Sequence, residues 1–201
     1  MERYPKIRIG TLEAGHGWLP FWMARIDEHY DTIRSALPEK LKRPSEYVLS
    51  GRYFQSIEVP EGEALKPRKS VFKNIVHTMN HIYVIDLIWQ AHLEGRDHQM
   101  TARNSAESPT LAEWWANQQA IDQWYEQWSS KQTDETLADR RPVVLIGGNR
   151  VVMSQGEMLL HLYHHTAYHR GFAGDMMFNV KGHRAPVTDL PVFLREAPQS
   201  Y

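Results

Sequence analysis

The chain has no cysteine. Disulfides, thiolate metal ligands and a cysteine nucleophile are therefore excluded, and any bound metal must be held by nitrogen and oxygen. No apolar run approaches the roughly 20 residues that a membrane-crossing helix needs. The opening residues Met1–Arg8 also lack the apolar core of a secretory leader. A cytoplasmic protein with no membrane partner is the expectation. Charge of one sign is equally scarce, with 23 basic residues against 24 acidic ones and a net charge of −1. Without a basic face, nucleic acid is not an expected partner. Gly147-Gly148 lacks the lysine and the following helix start of a phosphate loop, so nucleotide binding is not expected. Internal repeats and low-complexity tracts are absent as well.

Histidine is abundant, with 11 in 201 residues. The densest stretch is His161-Leu-Tyr-His-His-Thr-Ala-Tyr-His-Arg-Gly171. On a helix, residues four apart lie one above the other, so His161, His165 and His169 form a stripe. Two imidazoles at that spacing can reach one metal ion from a rigid element. A polar face of satisfied histidines is the plain alternative. A second histidine-bearing segment tips the balance. His77 and His81, again four apart, sit with Asn80 and Asp86 in an apolar helix, where polar groups need partners.

In chain order, the periodicity of Phe21, Trp22, Ile26, Tyr30, Ile33 and Leu37 predicts a helix from about 18 to 37, with His29 on its surface. Residues 38–69, punctuated by four prolines, read as a long connection with short extended pieces near 47–49 and 53–57. Ser70 is a candidate N-cap for a long helix ending near Leu93, with Gly95 as its stop. After a polar loop at 94–108, Thr110 and Glu113 fit a capping box for a helix to about Ser129. Its tryptophans recur at helical spacing and read as core, with a pocket rim or dimer surface as the alternative. A polar stretch over 130–141 precedes a hairpin of Val143–Ile146 and Arg150–Met153. A second capping box, Ser154 and Glu157, opens the histidine helix, which continues to about Val180. The tail has room for one short helical turn within 186–195.

With the two long helices side by side, His81 faces His165 and His169. Three imidazoles from two helices hold one divalent ion on one side and leave the other side open, which suits catalysis rather than a closed structural site. Nitrogen ligation favours zinc or nickel, with iron or copper as further options. Such an ion lowers the pKa of bound water or of a coordinated thiol. His77, His161 and His164 are candidates for supporting or rim positions, and Asp86 and Arg170 for polar support of the ligands.

Two resemblances add to this reading. Ile9-Gly-Thr-Leu-Glu-Ala-Gly-His-Gly-Trp-Leu-Pro-Phe-Trp22, Arg25-Ile-Asp-Glu-His-Tyr30 and Arg43-Pro-Ser-Glu-Tyr47 resemble a late segment of the metal-dependent amidohydrolase barrels related to aminocarboxymuconate-semialdehyde decarboxylase. The likeness covers about residues 6–63, without the histidine and aspartate motifs of that active site. Sixty residues cannot close a barrel of roughly 250, so no catalytic residue carries over.

Thr78-Met-Asn-His-Ile-Tyr-Val-Ile-Asp-Leu-Ile-Trp89, Ala91-His-Leu-Glu-Gly95, the 161–171 stretch and Pro186-Val-Thr-Asp-Leu190 resemble the DinB family over about residues 68–196. The resemblance implies an all-α, up-down four-helix bundle, here with a small hairpin before the last long helix. It also implies a divalent metal on a triad that falls on His81, His165 and His169. Phe172 stands where many members have Gln after His-Arg-Gly. The expected organisation is an N-terminal segment (1–67), whose helix replaces the family's first, followed by the bundle (68–201), with homodimerisation. The expected function is a metal-dependent enzyme, a thiol-dependent transferase or a hydrolase acting on a small molecule. The alternative is a stress-related metal-binding protein without turnover.

Overall fold

A computed structural model describes Val59 and residues 61–181, all within the unit Glu39–Tyr201. The helix expected at 18–37, the extended pieces before residue 58 and the turn expected in the tail lie outside the described residues. Among the described residues the chain is mostly helical, with one two-stranded antiparallel hairpin. The order is α1 (Glu61–Ala64), α2 (Ile75–Leu93), α3 (Leu111–Ser129), α4 (Asp134–Ala138), β1 (Arg140–Val144), β2 (Arg150–Ser154) and α5 (Gln155–Phe178). No described helix is long and apolar enough to cross a membrane.

Asn74, not the expected Ser70, caps α2. Lys73 takes a left-handed φ of 55°, which a helix starting at residue 71 could not accommodate. The Asn74 side chain accepts from the His77 N–H at 2.7 Å and donates to the Leu65 carbonyl at 3.1 Å, so one carboxamide caps the helix and ties down the approach to it. At the other end the Gly95 N–H reaches His92 O and the Arg96 N–H reaches Ala91 O. This Schellman arrangement requires the left-handed φ of 72° that Gly95 adopts.

Apolar residues cover most of the circumference of α2, and it packs against both α5 and α3. Ile75, Val76, Met79 and Ile82 join Trp114 of α3 and Ala173, Met176 and Met177 of α5 in one core cluster, closed by Val59, Ala64 and Val180. Each such large side chain contributes about 1.5–3 kcal/mol on burial. A polar network fixes the α2–α3 contact. Gln118 Nε2 donates to Asp86 Oδ2 and to Asp122 Oδ1, each at 2.9 Å, and the Tyr125 hydroxyl donates to the Asp86 carbonyl at 2.7 Å. In the low dielectric of a core, the bonds from Gln118 and Tyr125 to Asp86 are stronger than their exposed counterparts and tie α3 to α2.

Both expected capping boxes form, Thr110 with Glu113 and Ser154 with Glu157. The aromatic load of α3 divides. Trp114 and Tyr125 are buried, whereas Trp124 and Trp128 stack on each other half-exposed, with centroids 6.0 Å apart. Two segments are more ordered than their composition suggests. The single turn α1 interrupts the expected connection over 38–69. The polar stretch 130–141 folds α4 under a Thr133 cap and then enters β1. The hairpin pairs Arg140 with Ser154 and Val144 with Arg150, so it begins three residues before the expected Val143. Pro142 is tolerated because a two-stranded sheet has only edge strands. The last helix ends at Phe178, two residues before the expected Val180.

Candidate metal centre

The site lies where α2 meets α5. His81 comes from the middle of α2 and His165 and His169 from successive turns of α5. One ring nitrogen from each falls within 4.8 Å of the others. His81 and His169 are buried and His165 is half-buried. The α2–α5 packing therefore brings together the three histidines that their spacing singles out.

The protonation of His81 follows from its partner. Its Nδ1 lies 2.7 Å from the Arg103 carbonyl, which can only accept, so Nδ1 carries the hydrogen. With the ring neutral, Nε2 keeps a lone pair, and it faces His165 Nε2 at 3.2 Å. Two imidazole nitrogens bound tetrahedrally to one ion at roughly 2.0–2.1 Å stand about 3.3 Å apart. The observed spacing fits a shared ion.

Charge on these rings is strongly disfavoured. Burial, followed by the fields of the other histidines, pushes His165 well below the ordinary histidine value. Burial and then His81 lower His169 to about 3. His81 is lowered too, mainly by burial, against the Arg103 hydrogen bond that raises it. The rings are thus neutral at physiological pH, the form that binds metal. His165 Nδ1 and His169 Nδ1 are buried and meet no hydrogen-bond partner among the described residues. Three converging neutral imidazoles, with His81 Nε2 and His165 Nε2 at the spacing of two ligands on one ion, form a donor set that could hold a divalent metal.

The remaining candidates separate. His77 Nε2 lies 3.3 Å from Asn104 Nδ2 and so supports the loop rather than the donor set. His161 packs between Trp89, with centroids 4.8 Å apart, and His165, at 5.5 Å, and burial lowers it to about 4. His164 is exposed beside Tyr163. The hydrogen bonds described at Asp86 run to α3 rather than to the triad. Arg170 is half-buried, and burial lowers its pKa.

Two neighbours of the triad escape a reading of spacing alone. Phe72 stands edge-on to His169 at 4.7 Å and against Phe172 at 5.1 Å, so Phe172 belongs to an aromatic wall beside the site. Asn80 donates to Asn104 Oδ1 at 3.1 Å and to Ser105 Oγ at 2.7 Å, holding the loop that supplies the Arg103 carbonyl. The only sequence signal for it was a polar residue in an apolar helix.

No curated protein matches the chain. Residues 53–200 match the sequence profile described as DinB family. That match spans well over half of the chain, and the protein belongs to the DinB family.

Proposed function

We propose that the protein is a metal-dependent enzyme in which His81, His165 and His169 hold one divalent ion, zinc or nickel by donor type. The convergence of three neutral imidazoles from two rigid helices carries this reading. A bound ion supplies Lewis-acid chemistry, activating a thiol or water or polarising an acceptor. The chain's own residues fix the donors. The Arg103 carbonyl sets the His81 tautomer, and Phe72 and Phe172 wall one side of the donor set with apolar surface. Thiol-dependent group transfer or hydrolysis of a small molecule is the reaction class proposed. Further parts of the same reading are an up-down four-helix bundle, an N-terminal segment 1–67 related to the amidohydrolases, a cytoplasmic location and a homodimer.

The second reading is a stress-related protein that binds the ion without turnover. The aromatic packing against His169 favours it, since an apolar collar slows exchange of the ion with solvent.

Elemental analysis of the purified protein beside His81→Ala and His169→Ala tests the common core of both readings. About one equivalent of zinc or nickel in the wild type, lost in both variants, is the expected result. Metal retained by both variants would overturn the assignment. Turnover of thiol-transfer or hydrolase substrates by the loaded wild type, abolished in the same variants, separates enzyme from binder.

A further inference from the structure

Granted a metal-holding triad, we infer that Asn80 is a positioning residue for it. Asn80 presents the His81 donor atom by pinning the loop between α2 and α3, and does not itself touch the ion. His77, Asn80 and His81 lie at i, i+3 and i+4 on α2, so all three side chains face the same stretch of loop. The Asn80 carboxamide spends both N–H groups on that loop, at Asn104 Oδ1 (3.1 Å) and Ser105 Oγ (2.7 Å). Asn104 in turn lies 3.3 Å from His77 Nε2, and Ser105 Oγ donates to the Glu107 carbonyl. Asn80 is 3 % exposed, whereas Arg103 and Ser105 are exposed, so the anchor is rigid and the anchored segment is not held by its own burial.

The consequence falls on the peptide immediately before these anchors. The Arg103 carbonyl is the only described partner of His81 Nδ1, and it alone dictates that the hydrogen sits there and the lone pair on Nε2. A carbonyl on an unpinned surface loop would sample many positions, leaving His81 free to change tautomer or rotate. With the pin in place, the imidazole is oriented before any ion arrives. Metal sites commonly orient a ligating imidazole through a carbonyl. Here a buried asparagine one residue before the histidine places that carbonyl.

The test uses the full-length protein as Asn80→Ala, with Asn104→Ala/Ser105→Ala as a second variant. The second variant cuts the same bonds from the loop side and leaves the helix core intact. Zinc titration against a competing chelator is expected to show affinity reduced by roughly 10–100-fold in both, the usual loss when a partner of a ligating histidine is removed. In nitrogen-15-correlated spectra of the metal-free protein, the His81 Nδ1 proton should be visible in the wild type and lost to exchange in both pin variants. A merely structural asparagine would not move that signal in a variant whose circular dichroism is unchanged. Wild-type affinity together with a persistent Nδ1 proton in both variants would overturn the role of Asn80. If the wild type itself binds no zinc, the metal reading fails, and the Nδ1 proton alone then decides whether Asn80 holds the His81 tautomer.

Discussion

Residues 161, 165 and 169 show how one helix face can carry several histidines and still keep them uncharged. Each ring is desolvated by the α2–α5 contact, and each proton added would repel the next. An unfolded histidine titrates near 6.5, whereas folded His161 is lowered to about 4 and His169 to about 3. Between those values the unfolded chain binds protons that the fold refuses, so stability rises with pH across the window. The metal-free protein should hold full stability above about pH 6.5 and lose it progressively as the pH falls toward 3. Urea midpoints from pH 8 to pH 4 measure this, and His169→Gln should flatten the slope. A midpoint that does not fall below pH 6 would show that the rings are solvated. His81, His165 and His169 were legible as a cluster because helical spacing is a sequence property and the two long helices that carry them pack together. Asn80 was not, because its partners Asn104 and Ser105 lie in a loop whose path no periodicity encodes.

Element boundaries illustrate the same divide. The two capping boxes were readable as Thr110/Glu113 and Ser154/Glu157 because both partners lie within one turn. Ser70 was a reasonable cap by residue type, yet the helix starts at Ile75, because Asn74 bonds backward to Leu65 as well as forward to His77. That backward bond is tertiary, and sequence order does not announce it. Replacing Asn74 by Ala should cost about 1 kcal/mol as a lost cap, with a further loss from releasing the Leu65 carbonyl. Gly95 isolates a different quantity. An added Cβ there meets no atom within 4 Å, so Gly95→Ala introduces backbone strain at φ +72° without a clash. The expected penalty is about 1 kcal/mol, read as a lower urea midpoint at unchanged slope. No loss at all would mean that the end of α2 rearranges to a right-handed turn. The first three residues of β1 were hidden in sequence because Arg140, Arg141 and Pro142 are poor strand formers, and the pairing with Val152–Ser154 overrides them.

At the scale of the whole molecule, the triad joins the two helices that contribute most to the core, so occupation of the site and stability of the fold are linked. His81 lies between the core residues Met79 and Ile82 of α2, and His169 one turn before Ala173 and two turns before Met176. An ion bridging them crosslinks α2 to α5, and it can bind only where both helices are packed, so it stabilises the folded state by mass action. Free zinc at about 100 times its dissociation constant should add about 2.7 kcal/mol. For a chain of this length, that corresponds to a rise in Tm of roughly 5–10 °C. His81→Ala and His169→Ala should each abolish the rise, whereas Asn80→Ala should shift the zinc concentration needed to reach it, because that change weakens binding without removing a donor. A zinc-dependent rise that survived both histidine variants would place the ion elsewhere. No rise in the wild type, with zinc shown to be bound, would mean that the unfolded chain binds the ion as tightly as the fold does, against a site assembled by the packing of α2 on α5. The crosslink makes the stronger demand: it requires His81 and the α5 pair to bind the same ion, and loss of the thermal rise in His81→Ala as well as in His169→Ala reads that.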